Sequence, residues 1–161
     1  MDDLFFMTQA IELAKTACEM GEVPVGAVVV RDGQIIARAY NRRETGKNAL
    51  YHAETMAIDE ACRALGGWRL PGCTLYVTME PCPMCAGAIV NARVERVVYG
   101  ISDERAGAFG GVFDLNEYSL NHKPEVVGGV MEDKCRELLQ MFFKSLRERP
   151  KIKWKVHKNE D

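Results

Sequence analysis

The first forty residues contain a helical pattern followed by a hairpin pattern. Apolar residues recur at helical spacing behind Asp2 and Asp3, which suit a helix N-cap, and Gly21 marks the expected end of this helix. Two apolar runs, 25–30 and 34–40, are separated by Asp32-Gly33, a dipeptide that readily adopts the positive φ angles of a tight turn. We therefore predict a helix and then a β-hairpin.

The rest of the chain alternates between helical and strand patterns. A polar segment leads to a helix at 53–65, which Gly66-Gly67 ends. This alternation predicts an α/β fold, a single-domain three-layer α/β/α arrangement around a central mixed sheet, with one antiparallel hairpin and parallel crossings through the helices. The later predicted elements are a strand at 74–79, a helix from Cys82-Pro83 to about Val94, a strand at 97–99, a Gly-rich loop at 101–113, a short strand containing Val126-Val127, and a long amphipathic helix at 131–149 that Pro150 stops.

Length and composition indicate one soluble domain. With 161 residues, of which 47% are hydrophobic, the chain can bury one sizeable core, so residues 1–161 are expected to form a single domain with a basic, mobile tail from about residue 150. No window approaches the roughly 20 apolar residues that span a bilayer. The acidic start, Asp2-Asp3, is unlike a secretory signal, and we expect a cytoplasmic protein without a membrane partner.

The cysteines include one pair with metal-ligand spacing. Cys82 and Cys85 form a C-x-x-C at the start of a predicted helix, where their sulfurs point to the same side of the first turn and the helix dipole favours thiolates. The chain is longer than most disulfide scaffolds. The remaining four cysteines lie among apolar neighbours, and we predict no role for them.

His52 and Glu54 are predicted to complete this site from the start of another helix. Residues two apart on a regular helix point about 200° apart, so His52 would coordinate from the last loop position while Glu54 reaches water on the same metal. One histidine and two cysteines suit one Zn²⁺ per chain and leave the fourth position for water, as a catalytic site requires.

Each element alone has a simpler interpretation. A lone C-x-x-C is often redox-active or half of a structural zinc site, and a lone histidine is often only a polar residue at a helix start. The sequence has no second C-x-x-C to complete a four-cysteine cage. The combination of both elements at helix starts therefore favours a catalytic metal site.

These residues resemble the signature of a known enzyme family. His52-Ala53-Glu54 followed by Pro81-Cys82-Pro83-Met84-Cys85 is similar to the H-x-E and P-C-x-x-C motifs of the cytidine and deoxycytidylate deaminase superfamily. Further segments resemble the tRNA-specific adenosine deaminases within it, and the likeness runs from about Met7 to Arg149. These segments are Val23 to Val28, Asn41, Tyr76 to Ala88, Asn121-His122 and Phe142-Phe143-Lys144.

One loop departs from the pattern of that family. The family commonly has Asp-x-Lys-x-Gly-Ala-x-Gly-Ser near the nucleotide, whereas this chain has Asp103 to Gly111 in that place. Arg105 keeps the positive charge of the lysine, and Gly111 lacks the hydroxyl of the serine.

The resemblance implies a fold, a reaction and a substrate. It implies a cytidine-deaminase-like fold and the zinc-dependent conversion of the wobble adenosine of a tRNA anticodon stem-loop to inosine, with His52, Cys82 and Cys85 on the metal and Glu54 moving protons. It also implies a homodimer, to which the apolar helix residues Met84, Ala88 and Ile89 would contribute. The expected substrate-binding residues are Asn41, Asp103, His122 and Phe143.

Charge is compatible with RNA but leaves alternatives open. Residues 144–158 contain seven basic residues and one acid, although the whole chain has a net charge of −2. A basic helix end can also complement the helix dipole, and an asparagine such as Asn41 is common in turns. The alternatives are a deaminase of a free base or nucleoside (guanine, cytosine or cytidine) and a non-enzymatic, zinc-stabilised RNA-binding module.

Overall fold

The computed structural model describes residues 2–149, in which helices and strands alternate as the sequence predicts. A short 3₁₀ helix, Leu115–Glu117, interrupts the long segment between the last two strands. The principal elements are α1 (Asp3–Glu19), β1 (Gly26–Arg31), β2 (Gln34–Tyr40), α2 (Ala53–Leu65), β3 (Cys73–Met79), α3 (Pro83–Asn91), β4 (Arg96–Ile101), β5 (Glu125–Val127) and α4 (Glu132–Glu148).

The five strands form one mixed sheet in the order β2-β1-β3-β4-β5. β1 pairs antiparallel with both β2 and β3, while β3, β4 and β5 run parallel to one another. The connections through α2 and α3 therefore join parallel strands, as expected for crossover helices. The predicted mixed sheet is confirmed.

Helices cover both faces of this sheet. Neighbouring side chains of a strand point to opposite faces, so Val29 packs with α2 and α3, whereas Val28 packs with α1 and Cys135 of α4. Leu75 and Tyr76 divide between the same two cores. The predicted three-layer α/β/α arrangement is confirmed, and the burial of both faces explains why β1 and β3 are apolar along nearly their whole length.

Local signals set several element boundaries. The Asp2 side chain caps α1 by accepting a hydrogen bond from Phe5 N (3.0 Å), and the hairpin turn has positive φ at both Asp32 (50°) and Gly33 (72°). Gly66, with φ of 73°, ends α2. The hairpin and the first two helix ends therefore form as predicted.

The predicted end of the third helix is wrong. We expected it to run to about Val94, but α3 ends at Asn91, and Arg93 turns the chain with φ of 60°. The Arg93 guanidinium donates to the carbonyls of Val90 (2.6 Å) and Asn91 (3.3 Å), two of the last carbonyls of the helix, which lack the usual helical partner. An arginine replaces the usual glycine here, so the sequence carries no stop signal that we recognised.

The topology brings several chain segments to one edge of the sheet. The carboxyl ends of parallel β3 and β4 meet there, and antiparallel pairing brings the start of β1 and the end of β2 to the same edge, with Gly26 opposite Tyr40. Residues just beyond these strand ends, such as Asn41 and Asp103, therefore approach one another. Among residues 2–149, no helix combines the length and apolar character needed to cross a membrane.

A partly buried ion pair links the start of α1 to the sheet. The Asp3 carboxylate accepts two hydrogen bonds from the Arg96 guanidinium (both 2.8 Å) and one from the Tyr76 hydroxyl (2.7 Å). Only about a quarter of each charged side chain is exposed, 26% for Asp3 and 21% for Arg96. The Arg96 hydrogen bonds, assisted by Tyr76, lower the pKa of Asp3 to about 2.

We predict that Asp3→Asn lowers the free energy of unfolding by about 2 kcal/mol at pH 7, because the charged form is held by Arg96. A lowered folded-state pKa gives stability that is present above pH 4 and is lost as pH falls towards 2, so the difference between variant and wild type should shrink over that window. Urea unfolding of both proteins at pH 7 and pH 2.5 measures this difference in the free energy of unfolding. Asp59→Asn, which removes an exposed pair with Arg63, is the control and should cost less than about 0.5 kcal/mol; an equal loss in both variants would contradict the prediction.

Candidate metal centre and substrate pocket

Three predicted ligand side chains come together at the starts of two helices. His52 and Cys82 are the N-cap residues of α2 and α3, and Cys85 lies in the first turn of α3. The Nδ1 atom of His52 is 3.5 Å from both sulfurs, and the three donor atoms lie within 4.8 Å of one another.

This geometry fits a tetrahedral zinc ion. Zinc lies about 2.3 Å from a sulfur ligand and about 2.0–2.1 Å from a nitrogen ligand. At a tetrahedral angle, these bond lengths place the nitrogen about 3.6 Å from each sulfur. The observed separation of 3.5 Å agrees with this value. Among the residues that the structure describes, these three are the His, Cys, Asp or Glu side chains grouped closely enough to hold a metal, so a fourth protein ligand does not fill the remaining position.

The electrostatics of the three ligands favour a cation. The hydrogen bond from Cys85, with help from His52, lowers the pKa of Cys82 to about 4. The same shared proton and burial raise the pKa of Cys85, and the hydrogen bond to Cys82 raises that of His52. Negative charge on one sulfur therefore holds a proton on its neighbours, and a bound cation would replace that proton.

Glu54 lies beside this group and is almost fully buried. It occupies the first turn of α2, two residues after His52, with 4% of its surface exposed. Burial raises the pKa of its carboxyl to about 7, and His52 and Cys85 partly oppose that shift. A carboxyl with this pKa can both accept and release a proton near neutral pH.

A cavity of about 210 Å³ opens onto the metal group and Glu54. Asn41 and Asp103, for which the resemblance predicts a role in substrate binding, both line it. Asn41 is 7% exposed, and its amide donates to Val23 O (3.2 Å) and accepts from Arg43 N (3.2 Å), so the backbone holds both ends of the amide. The Asp103 side chain accepts from Arg105 N (2.9 Å) and Ala106 N (3.3 Å).

A wider groove continues from this cavity along α4. The α4 groove, about 860 Å³, shares Met79 and Asp103 with the cavity, and Phe143, which is 43% exposed, lies along it. Its charges are balanced rather than basic. Three basic residues line the groove (Arg105, Arg136 and Arg147), and so do three acidic residues (Asp103, Glu104 and Glu132).

Other predicted residues lie elsewhere. His122 does not line the cavity or the α4 groove, and its Nε2 lies 2.6 Å from Val94 O, just before β4 begins. The cavity lies at the opposite end of β4. Within a single chain, His122 is therefore separated from the other predicted site residues. Most of the basic tail, including Lys151 and Trp154, falls outside the described residues.

Three further charged residues contribute to the site although sequence reasoning did not select them. Arg43 and Glu80 line the cavity, and the fully buried Glu22 accepts from Glu44 N (3.2 Å) and Thr45 N (2.6 Å) in the loop after β2. Glu80 lies within one segment that resembles the deaminases, Tyr76 to Ala88, and Glu22 directly precedes another, Val23 to Val28. These positions were the available signal in the sequence.

A three-layer fold with an open His-Cys-Cys group and a neighbouring glutamate is characteristic of the zinc deaminases that act on nucleobases. Residues 1–147 match the model of the MafB19-like deaminase family. A tRNA-specific adenosine deaminase of Bacillus subtilis is 55% identical over 150 residues, which cover 92% of this chain and 93% of the relative. The chain therefore belongs to the deaminase family, together with the tRNA-specific adenosine deaminases.

Solved structures agree with this assignment. A chain from a study of A-to-I editing by tRNA:A34 deaminases at the wobble position superposes with a TM-score of 0.78 and 44% identity, covering 84% of this chain and 99% of that one. A guanine deaminase from Nitrosomonas europaea superposes with a TM-score of 0.73 and 26% identity, covering 86% of this chain and 83% of that one. The fold is thus shared with deaminases of free bases, and the resemblance in sequence is stronger on the tRNA side.

We predict that Cys82→Ser lowers the bound metal from about one per chain to well below that, because serine is a poor replacement for a thiolate ligand. Elemental analysis of the purified protein measures the ratio. Cys62→Ser is the matched control, since Cys62 lies on α2 and contacts the carbonyl of Trp68 rather than the metal group. An unchanged metal ratio in Cys82→Ser would show that this sulfur is not a ligand.

Proposed function

We propose that this protein deaminates the wobble adenosine of a tRNA anticodon, with water as co-substrate and inosine and ammonia as products. The observation that carries the proposal is the buried Glu54 carboxyl beside the open His52-Cys82-Cys85 group, in a cavity that also contains the Asn41 amide. This arrangement joins a metal position, a proton carrier and a base-sized space.

The donor set supports one zinc ion per chain. One imidazole nitrogen and two thiolates match the preference of zinc, and they leave a position open to solvent and substrate. A zinc ion bound there would supply hydroxide by lowering the pKa of water to about 7. His52, Cys82 and Cys85 would hold the ion, and Cys82 is already favoured as a thiolate.

Glu54 carries the protons of the reaction. Its carboxylate takes a proton from the attacking water and delivers it to N1 of adenine, which makes addition at C6 tolerable. Glu54 then takes the proton of the hydroxyl group added at C6 and transfers it to the exocyclic nitrogen, which leaves as ammonia as the C6–N bond breaks and the C6=O bond forms. The burial of Glu54 raises the pKa of its carboxyl group, which favours a group that both takes up and releases a proton.

The size of the cavity and its connection to the α4 groove support a base within a longer chain. At about 210 Å³ the cavity is smaller than most sites for drug-sized ligands, which measure about 300–1,000 Å³, and it suits one extruded base. The neighbouring α4 groove offers Phe143 for stacking and Arg105 for phosphate contact. Asn41 and Asp103 would contact the target nucleotide, and an anticodon loop presents such an unpaired base.

A small-molecule deaminase is the second candidate. It is favoured by the structural similarity to guanine deaminase and by the balanced charge of the α4 groove. The 55% identity to a tRNA-specific adenosine deaminase supports the first candidate more strongly. The basic residues in the segment 144–158 also support a tRNA substrate, because lysine and arginine neutralise phosphates.

A homodimer and a cytoplasmic location complete the proposal. Met84 and Ala88 on α3 are partly exposed, and Ala88 also packs against the core. Ile89 is fully buried in the core, so it is not available for a dimer contact. We propose that two copies meet through α3, near the substrate cavity. Light scattering of the purified protein tests this, and a monomer at micromolar concentration would contradict it.

We predict that Glu54→Ala keeps its zinc but loses at least about 10²–10⁴-fold in kcat, because Glu54 moves protons and is not a ligand. Zinc analysis and single-turnover rates are measured on the same sample. Glu60→Ala, an exposed change on the same helix, should leave both unchanged. Wild-type activity in Glu54→Ala would remove Glu54 from the mechanism.

We also predict inosine at the first anticodon position when the zinc-loaded protein is incubated with unmodified tRNA transcripts, and no comparable turnover of guanine or cytidine. Activity on tRNA should fall steeply with salt because phosphate contacts release counterions, while turnover of a free base should not. Guanine or cytidine turnover without inosine would favour the second candidate. RNA binding that persists in Glu54→Ala, with no product from any substrate, would indicate a binding module.

A further inference from the structure

Glu80 is a buried acid in the wall of the cavity, and the proposed mechanism gives it no step. It lies between β3 and α3 and is 3% exposed. Its Oε1 accepts a hydrogen bond from Asp103 N (3.0 Å), and its Oε2 accepts from Phe109 N and Gly111 N (3.0 Å each). Within residues 2–149, Glu80 has no ion pair and is not part of the metal group, so backbone N–H groups are its main partners.

All three donors belong to one segment, the loop 102–113 that follows β4. A buried charge is costly unless it is hydrogen-bonded, and a carboxylate that accepts from N–H groups forms strong, charge-assisted bonds. The first and the later parts of the loop are thereby tied to a single side chain. Glu80 therefore holds in place a segment that contains no regular secondary structure.

Two glycines allow this close approach. A Cβ atom at Gly111 would lie 2.7 Å from Glu80 Oε1 and would collide with the carbonyl of Asp103. A Cβ atom at Gly107 would collide with the Glu80 carboxylate itself. In this chain the loop backbone lies close around the carboxylate at these two positions, which lack side chains. The glycine at 111, where the related enzymes commonly have serine, is part of this packing.

The loop forms one wall of the substrate cavity. Asp103 and Ala106 line the cavity, and Arg105 lies in the α4 groove. The bond to Asp103 N fixes the backbone of a predicted substrate-binding residue, whose own side chain then caps the following turn through Arg105 N and Ala106 N. A change at Glu80 is therefore transmitted directly to the position of Asp103.

We propose that Glu80 is a positioning residue for substrate binding: its carboxylate fixes the loop 102–113, and with it the Asp103 wall of the cavity, without taking part in proton transfer. This inference rests on the proposed deamination of an anticodon adenosine. It assigns to Glu80 an effect on how tightly the substrate is held, while the metal ligands and Glu54 determine the rate of the chemical step.

Glu80→Gln tests the proposal with almost no change in side-chain volume. Glutamine replaces one acceptor oxygen with an NH₂ group, which would face loop N–H groups and cannot accept from them. We expect KM for an anticodon stem-loop to rise about tenfold, while kcat, its pH profile and the zinc content stay close to wild type. Hydrogen–deuterium exchange should become faster in the loop 102–113.

Asp3→Asn is the matched control, because it replaces another largely buried acid far from the cavity. It should lower the melting temperature but leave KM and loop exchange unchanged. If Glu80→Gln behaves in the same way, Glu80 only stabilises the fold and the proposal is wrong. If kcat falls and KM does not change, Glu80 takes part in the chemistry and the proposal is also wrong.

Gly111→Ala disturbs the same contact from the loop side, in case Glu80→Gln does not fold. Like Glu80→Gln, it should raise KM and make hydrogen–deuterium exchange in the loop 102–113 faster. Wild-type KM in whichever of these variants folds would overturn the positioning role. The absence of inosine with wild-type, zinc-loaded protein would instead contradict the proposed function, while the exchange measurement would still show whether Glu80 holds the loop.

Discussion

The site depends on two helices that begin side by side at one edge of the sheet. α2 and α3 pack on the same face, and the end of β3 leads directly into the start of α3. This arrangement brings His52 within 3.5 Å of both sulfurs, although about thirty residues separate them along the chain. Helix N-termini also favour negative charge, which a thiolate ligand and a carboxylate both carry. Without this placement the two motifs would be unrelated short sequences.

Three buried glutamates around the cavity are in different environments. Glu22 and Glu80 accept hydrogen bonds from the backbone of the loops after β2 and β4, so their burial is compensated and they hold those loops. Glu54 lies instead beside the metal ligands, and burial raises its pKa to about 7. The same residue type can therefore hold a loop or, as we propose for Glu54, carry a proton, and its surroundings determine which.

A small cavity and a wider open groove lie next to each other on the molecule. The cavity walls come from loops whose backbones are held by buried acids, and the α4 groove presents Phe143 on a helix surface. A base can be enclosed in the first while the rest of a nucleic acid lies along the second. Similar deaminases of free bases share the fold, so the features that distinguish an RNA substrate are expected outside the metal group, in the loops and in α4.

The sequence alone determined the features that depend on neighbouring residues. The Asp32-Gly33 turn, the Asp2 cap, the glycine at the end of α2 and the C-x-x-C at the start of α3 are local, and the apolar patterns were sufficient for the three-layer fold. The sequence could also suggest His52, Glu54, Cys82 and Cys85 as one site, because the spacing within each motif matches the chemistry.

Only the tertiary structure decided how distant segments meet. Asn41 and Asp103 reach the cavity because their strands end at one edge of the sheet, whereas His122 bonds to Val94 O at the other end of β4. The end of α3 depends on the Arg93 side chain reaching helix carbonyls, and the role of Glu80 depends on N–H groups more than twenty residues away. Such contacts have no local pattern, because they are set by sheet order and loop packing rather than by the spacing of residues along the chain.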